Sequence, residues 1–171
     1  MADKKVLFVI AFEGFRDEEY IRPKQILEQK GVTVVTASTQ MGTASGKLGM
    51  QVPVDILYTK ADLDEYHGLI FIGGPGSPGY WEDAAAHLML RGAASSGKLV
   101  AGICSACVTL AKSGVLTDRR ATVWAGDASI LKPLVGQYTA ATCEEDGLFI
   151  TANGPDAAEE FGEKLALRLG N

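Results

Sequence analysis

Four runs rich in β-branched and other apolar residues, in two pairs each bridged by a stretch of helical spacing, constrain the fold of this 171-residue chain more than any other feature. The first is Val6, Leu7, Phe8, Val9 and Ile10. It is continuous rather than alternating, which is the pattern of a strand buried on both faces of a parallel sheet. Residues 32–37 repeat it. Between the two, residues 17–30 space Tyr20, Ile26 and Leu27 as the apolar face of a helix, and Gly31 is a natural stop. Strand, helix and strand in this order form a βαβ unit.

Glycines and a proline interrupt residues 43–56, so a small hairpin or edge excursion is expected there. The rhythm then resumes. Residues 68–72 read as a strand followed by a glycine-rich turn, 80–95 as a helix, 98–103 as a strand and 105–112 as a helix directly behind it. Short strands are expected at 121–124, 138–142 and 148–150, and a terminal helix at 155–169 with Pro155 in its first turn. The expected architecture is an open α/β sandwich with a mostly parallel sheet, as one domain over residues 1–171.

Composition narrows the function. Sixteen basic against 21 acidic residues leave a net charge of −5, with a pI near 5.0 and no basic cluster, which argues against nucleic acid or an anionic membrane surface as partner. The apolar runs are far shorter than the ~20 residues of a membrane span. With no secretory pattern at the start, a cytoplasmic protein is expected. Three cysteines suit free thiols better than a disulfide framework. Only His67 and His87 are available for histidine chemistry, so neither a His-rich metal site nor a cofactor is expected.

In doubly wound sheets, ligands sit beyond the carboxyl ends of the strands. Three turns stand there, at residues 11–15, 73–79 and 102–107. In the last, Gly102 and Ala106 flank Cys104 as small residues flank the nucleophile of a strand-to-helix elbow. A helix N-terminus would favour its thiolate. The plainer alternative is a small buried hydrophobe. Gly74, Gly76 and Gly79 fit a dinucleotide fingerprint, but Pro75 and Pro78 remove amides and residues 93–97 hold no acid for a ribose. A rigid turn whose Gly73 and Gly74 bring backbone close to a neighbouring site fits better. Cys104 and Cys107 form a C-x-x-C spacing without the usual redox surroundings, and zinc would need ligands beyond Cys104, Cys107 and Cys143. Glu18 and Glu19 are good first-turn acids, yet a desolvated carboxyl there would be able to share a proton with Cys104. The two histidines read as surface or packing residues.

The order and spacing of these segments resemble the DJ-1/PfpI (ThiJ) family, in the glutamine-amidotransferase-like superfamily. Asp17 to Pro23 in the first helix, residues 69–74, residues 100–104, Arg120 with Thr122, residues 146–151 and Gly154 with Pro155 carry the resemblance over nearly the whole chain. It implies a flavodoxin-like three-layer sandwich with a nucleophile elbow, usually a homodimer. Cys104 would be the reactive cysteine, Glu19 its carboxyl partner, Gly74 and Ser105 the oxyanion amides, and Trp124 and Gly73 pocket-lining residues. Protease-like members carry His where this chain has Ser105, and DJ-1-like members carry His where it has Trp124. Peptide cleavage is therefore not expected. The expected activity is cysteine chemistry on small electrophiles of the glyoxalase, deglycase or hydratase kind; the alternative is an oxidative-stress sensor in which Cys104 is oxidised without turnover.

Overall fold

The computed structural model describes residues 3–170. The strands are β1 (Lys5–Val9), β2 (Glu13–Phe15), β3 (Thr33–Ser38), β4 (Gly42–Gly46), β5 (Gln51–Val54), β6 (Ile56–Leu57), β7 (Gly68–Phe71), β8 (Leu99–Ile103), β9 (Arg120–Ala121), β10 (Gln137–Tyr138), β11 (Cys143–Asp146) and β12 (Phe149–Ala152). The helices are α1 (Asp17–Gln29), α2 (Ala84–Ser95), α3 (Ala106–Ser113), α4 (Ala128–Leu131) and α5 (Ala158–Gly170). Seven strands form the central sheet in the order β11-β12-β8-β7-β1-β3-β6, and only β11 runs antiparallel to its neighbour.

The continuous apolar runs are explained by two cores. Val6, Phe8 and Ile10 face α1 and α5, packing with Leu27, Phe161 and Leu165. Leu7 and Val9 face α2 and α3, packing with Leu90, Val108 and Leu110. A strand covered on both faces gains from an apolar side chain at every position, at roughly 25 cal/mol per Å² buried. The result is a flavodoxin-like three-layer sandwich.

The excursion at residues 43–56 contains the hairpin of β4 and β5, joined by β2 in a separate three-stranded sheet. Its turn is pinned by Asp17 in the first turn of α1: the Leu48 and Met50 amides each donate to its carboxylate at 2.9 Å. The second helix begins later than its sequence indicates. Asp83 accepts from the Ala85 amide at 2.9 Å as an N-cap, and residues 77–80 form a separate 3-10 turn. The expected strands at 121–124 and 138–142 shrink to the two-residue β9 and β10. Strand β11 was not expected from the sequence. Its Cys-Glu-Glu-Asp run lies at the sheet edge, where one flank is unpaired and apolar continuity is not required.

Candidate active site

The turns after β1, β7 and β8, three adjacent strands, meet beyond one end of the sheet. The first two are stitched together. Arg16 donates its amide to the Gly73 carbonyl at 2.8 Å, and Gly76 donates to Gly14 at 3.0 Å. Gly74 has φ +117, and a Cβ there would collide with the Arg16 nitrogen and the Gly14 carbonyl. Only glycine permits this approach.

The third turn holds Cys104, between the end of β8 and the start of α3, with φ 61. A left-handed conformation costs a non-glycine residue roughly 1–2 kcal/mol, and it aims the side chain out of the strand direction. The turn is held by the Cys104 amide donating to Ala152 at 2.8 Å and by the Cys107 amide donating to Cys104 at 3.2 Å. Behind it, Gly102 leaves room for Leu110, whose Cδ1 would lie 3.0 Å from an added Cβ.

Glu19, on the first turn of α1, is completely buried. Its carboxyl reaches the cysteine because Gly73 has no side chain. A Cβ on Gly73 would lie 2.5 Å from Glu19 Oε1 and 2.7 Å from Cys104 Cβ. Neither carboxyl oxygen completes a hydrogen bond of good geometry among the described residues. Burial pushes the Glu19 carboxyl up to about 7, against the opposing pull of the Cys104 thiol, Arg16 and the Gly73 amide. Cys104, half-buried, is pushed up to about 12 by burial and by the negative charge of Glu19, with the Ser105 amide and hydroxyl acting the other way. The sequence led to the expectation of a thiolate favoured by the helix N-terminus; burial and the like-signed Glu19 act in the opposite direction.

Both residues line a cavity of about 430 Å³. Gly74, Ser105 and Trp124 line it with them, while Gly73 is not on the wall. Gly73 stands behind it as the spacer between Glu19 and Cys104, a correction of its expected pocket-lining position. The wall also contains Arg16, Lys47, Trp81 and Asp127, none of which the sequence singled out. Arg16 pairs with Glu18 through Nε at 2.9 Å and through its terminal nitrogen at 3.0 Å. Lys47 is carried by the turn that Asp17 clamps, its amide donating to Phe15 at 2.8 Å. Trp81 donates its indole N–H to the Ser105 carbonyl at 2.9 Å.

Neither histidine lines the cavity. His67 accepts from the Lys5 amide at 3.1 Å at the beginning of β1, and His87 bonds the Trp81 carbonyl at 2.7 Å. Cys107 is fully buried and its thiol donates to Ala152 at 3.5 Å; Cys143 is also buried. Among the described residues no group of three or more His, Cys, Asp or Glu side chains is placed to hold a metal ion, and no helix is long and apolar enough to cross a membrane.

Fold and site together define a flavodoxin-like α/β protein with a cysteine on a left-handed strand-to-helix turn, facing a buried carboxyl. The chain belongs to the DJ-1/PfpI family, whose sequence model matches residues 4–167. It is 34% identical over 165 residues to an uncharacterized protein of Methanocaldococcus jannaschii, covering 95% of this chain and 80% of that one. It is 32% identical over 151 residues to a deglycase of Pyrococcus horikoshii, covering 88% and 90%. The crystal structure of a ThiJ/PfpI domain protein from Brachyspira murdochii superposes with a TM-score of 0.95 at 30% identity, covering 99% and 97% of the two chains.

Proposed function

We propose that this protein acts on small carbonyl electrophiles through Cys104, in the manner of a deglycase or glyoxalase and not of a peptidase. The observation that carries this reading is the approach of the Glu19 carboxyl to Cys104 across Gly73, both residues lining the 430 Å³ cavity. The name deglycase borne by the Pyrococcus horikoshii relative supports it. A thiol at about 12 is a poor nucleophile alone, so its proton must leave as the carbon–sulfur bond forms. Glu19 is placed to take that proton when ionised and to return it when protonated. The oxygen that gains charge would be met by the Gly74 and Ser105 amides. Peptide cleavage needs an acid for the amine leaving group, and no histidine lines this cavity.

The test is turnover of methylglyoxal and of a methylglyoxal-treated thiol or amine by the wild type and Cys104→Ala. Loss of turnover in the variant supports the reading, and a wild type without Cys104-dependent turnover removes it.

A second reading is favoured by the position of Glu19 near 7, where the carboxyl is protonated in part of the population and can donate to an oxidised sulfur. In that case Cys104 is a redox-responsive group. Intact mass after mild peroxide would then show stepwise oxygen addition at Cys104, and little at the buried Cys107 and Cys143.

A further inference from the structure

The cavity has a second unpartnered carboxyl. Asp127 is 6% exposed, and its Oδ2 is buried without a hydrogen-bond partner. Among the described residues the other buried side-chain oxygens in that condition belong to Glu19, Ser77 and Thr109, and of these four residues only Glu19 and Asp127 line the cavity. The ordinary reason for an aspartate at this place does not apply. Asp127 precedes the four-residue α4, yet its side chain makes no capping bond. Its backbone is anchored by its amide donating to the Trp124 carbonyl at 2.9 Å, while its buried Oδ2 is not used by the fold. A buried unpaired carboxyl costs several kcal/mol, and such a group is best explained by a partner that arrives with the ligand.

Resting on the proposed carbonyl chemistry, we infer that Asp127 is the second proton-transfer group of the site, acting on the carbon atoms of a 2-oxoaldehyde while Glu19 serves the sulfur and the oxygens. The thiol adds to the aldehyde carbon C1, forming the C–S bond; Glu19, protonated at the outset, gives its proton to the former aldehyde oxygen and takes the thiol's, so that it remains protonated. Asp127 removes the hydrogen on C1 as a proton. The electron pair left behind makes a C1–C2 double bond, and the C2 oxygen takes a proton from Glu19. Asp127 returns its proton to C2 as the C1 hydroxyl becomes a carbonyl and gives its proton back to Glu19, leaving a thioester. Water cleaves the C–S bond and restores the thiol. C1 is oxidised by two electrons and C2 reduced by two, so the product is a 2-hydroxy acid and no external oxidant or reductant is needed.

The experiment uses methylglyoxal as probe, with the full-length wild type, Asp127→Asn and Asp127→Glu, following lactate formation, Cys104 alkylation by iodoacetamide and thermal unfolding. Asp127→Asn is expected to lose about 10²–10⁴-fold in kcat with KM changed by less than about threefold, the range a positioned acid/base contributes. Its Cys104 alkylation rate should stay within about twofold of wild type, because the thiol and Glu19 are untouched. Asp127→Glu should recover at least about tenfold of the loss, since the carboxyl is restored. Near-wild-type kcat in Asp127→Asn overturns the inference, as does a loss that Asp127→Glu fully shares or that follows a fall in Cys104 alkylation or melting temperature. If the wild type forms no lactate while Cys104 still turns over another carbonyl compound, this inference fails and the reading of the site survives; if it turns over none, both fall.

Discussion

Glu19 and Cys104 lie 85 positions apart in sequence and meet only because Gly73, in the turn after β7, contributes no side chain between them. One carboxyl and one thiol thus share a desolvated space; the carboxylate charge raises the proton affinity of the thiol, while the thiol's hydrogen bond lowers that of the carboxyl.

Removing that charge should expose the coupling. In Glu19→Gln the thiol loses the carboxylate that pushes it up, so its titration should move to lower pH. Alkylation by iodoacetamide at pH 8 should then quicken, by about tenfold for every pH unit the titration midpoint falls, until the thiolate predominates. An unchanged rate would leave Glu19 as no more than a first-turn acid.

Stability should depend on pH in a definite direction. The Glu19 carboxyl titrates near 7 in the fold against 4.5 in its ordinary state, so between these values the folded state binds more protons than the unfolded one. Its contribution is therefore fully present below 4.5 and is lost as pH rises through 7, amounting to ~3 kcal/mol at about 1.36 kcal/mol per pH unit. The raised Cys104 thiol has the same sign, with its loss falling between 9 and about 12. Chemical denaturation from pH 4.5 to 8 should show the first decline in wild type and a much flatter profile in Glu19→Gln. A wild-type stability that rises over this interval after the exposed groups are accounted for would contradict the burial of an ionisable carboxyl here.

Gly73→Ala should be costly for reasons of space alone. The new methyl would lie 2.5 Å from Glu19 Oε1 and 2.6 Å from the Ile103 carbonyl, and the backbone of β8 cannot yield cheaply. A loss of about 1–3 kcal/mol in urea denaturation is expected, the range for overpacking a well-filled interior. Alkylation of Cys104 should change as well, since the carboxyl must move. Gly79→Ala, whose Cβ meets nothing within 4 Å, serves as the mild control.

Asp17→Ala should loosen the hairpin turn that carries Lys47. The substitution leaves the Leu48 and Met50 amides without their acceptor, at roughly 1–3 kcal/mol where such groups stay buried. Hydrogen exchange should accelerate at these two amides before it does in β1 or β8. Equal protection in variant and wild type would show that the turn is held by its backbone bonds alone.

Much of the fold was legible because the parallel strands are covered on both sides. Val6 to Ile10 need apolar side chains at each position, whichever core each one enters, and that requirement is written directly into the run. The polar edge strand β11 left no such trace. Within the site, Cys104 was legible from its small flanking residues and Gly74 from the glycine-rich turn. Asp127 was not, since an aspartate three residues after Trp124 reads as an ordinary loop acid until its burial is known.

By itself, then, the sequence determined the α/β alternation, the three free cysteines and the lack of a histidine at either position where the family pattern carries one, because these depend on residue type and local spacing. The tertiary structure decided which carboxyl approaches the thiol and how far both groups are desolvated. Such properties depend on desolvation and on distances between segments remote in the chain, and local composition encodes neither. The helix N-terminus predicted a thiolate, whereas burial and the Glu19 charge push the thiol upward.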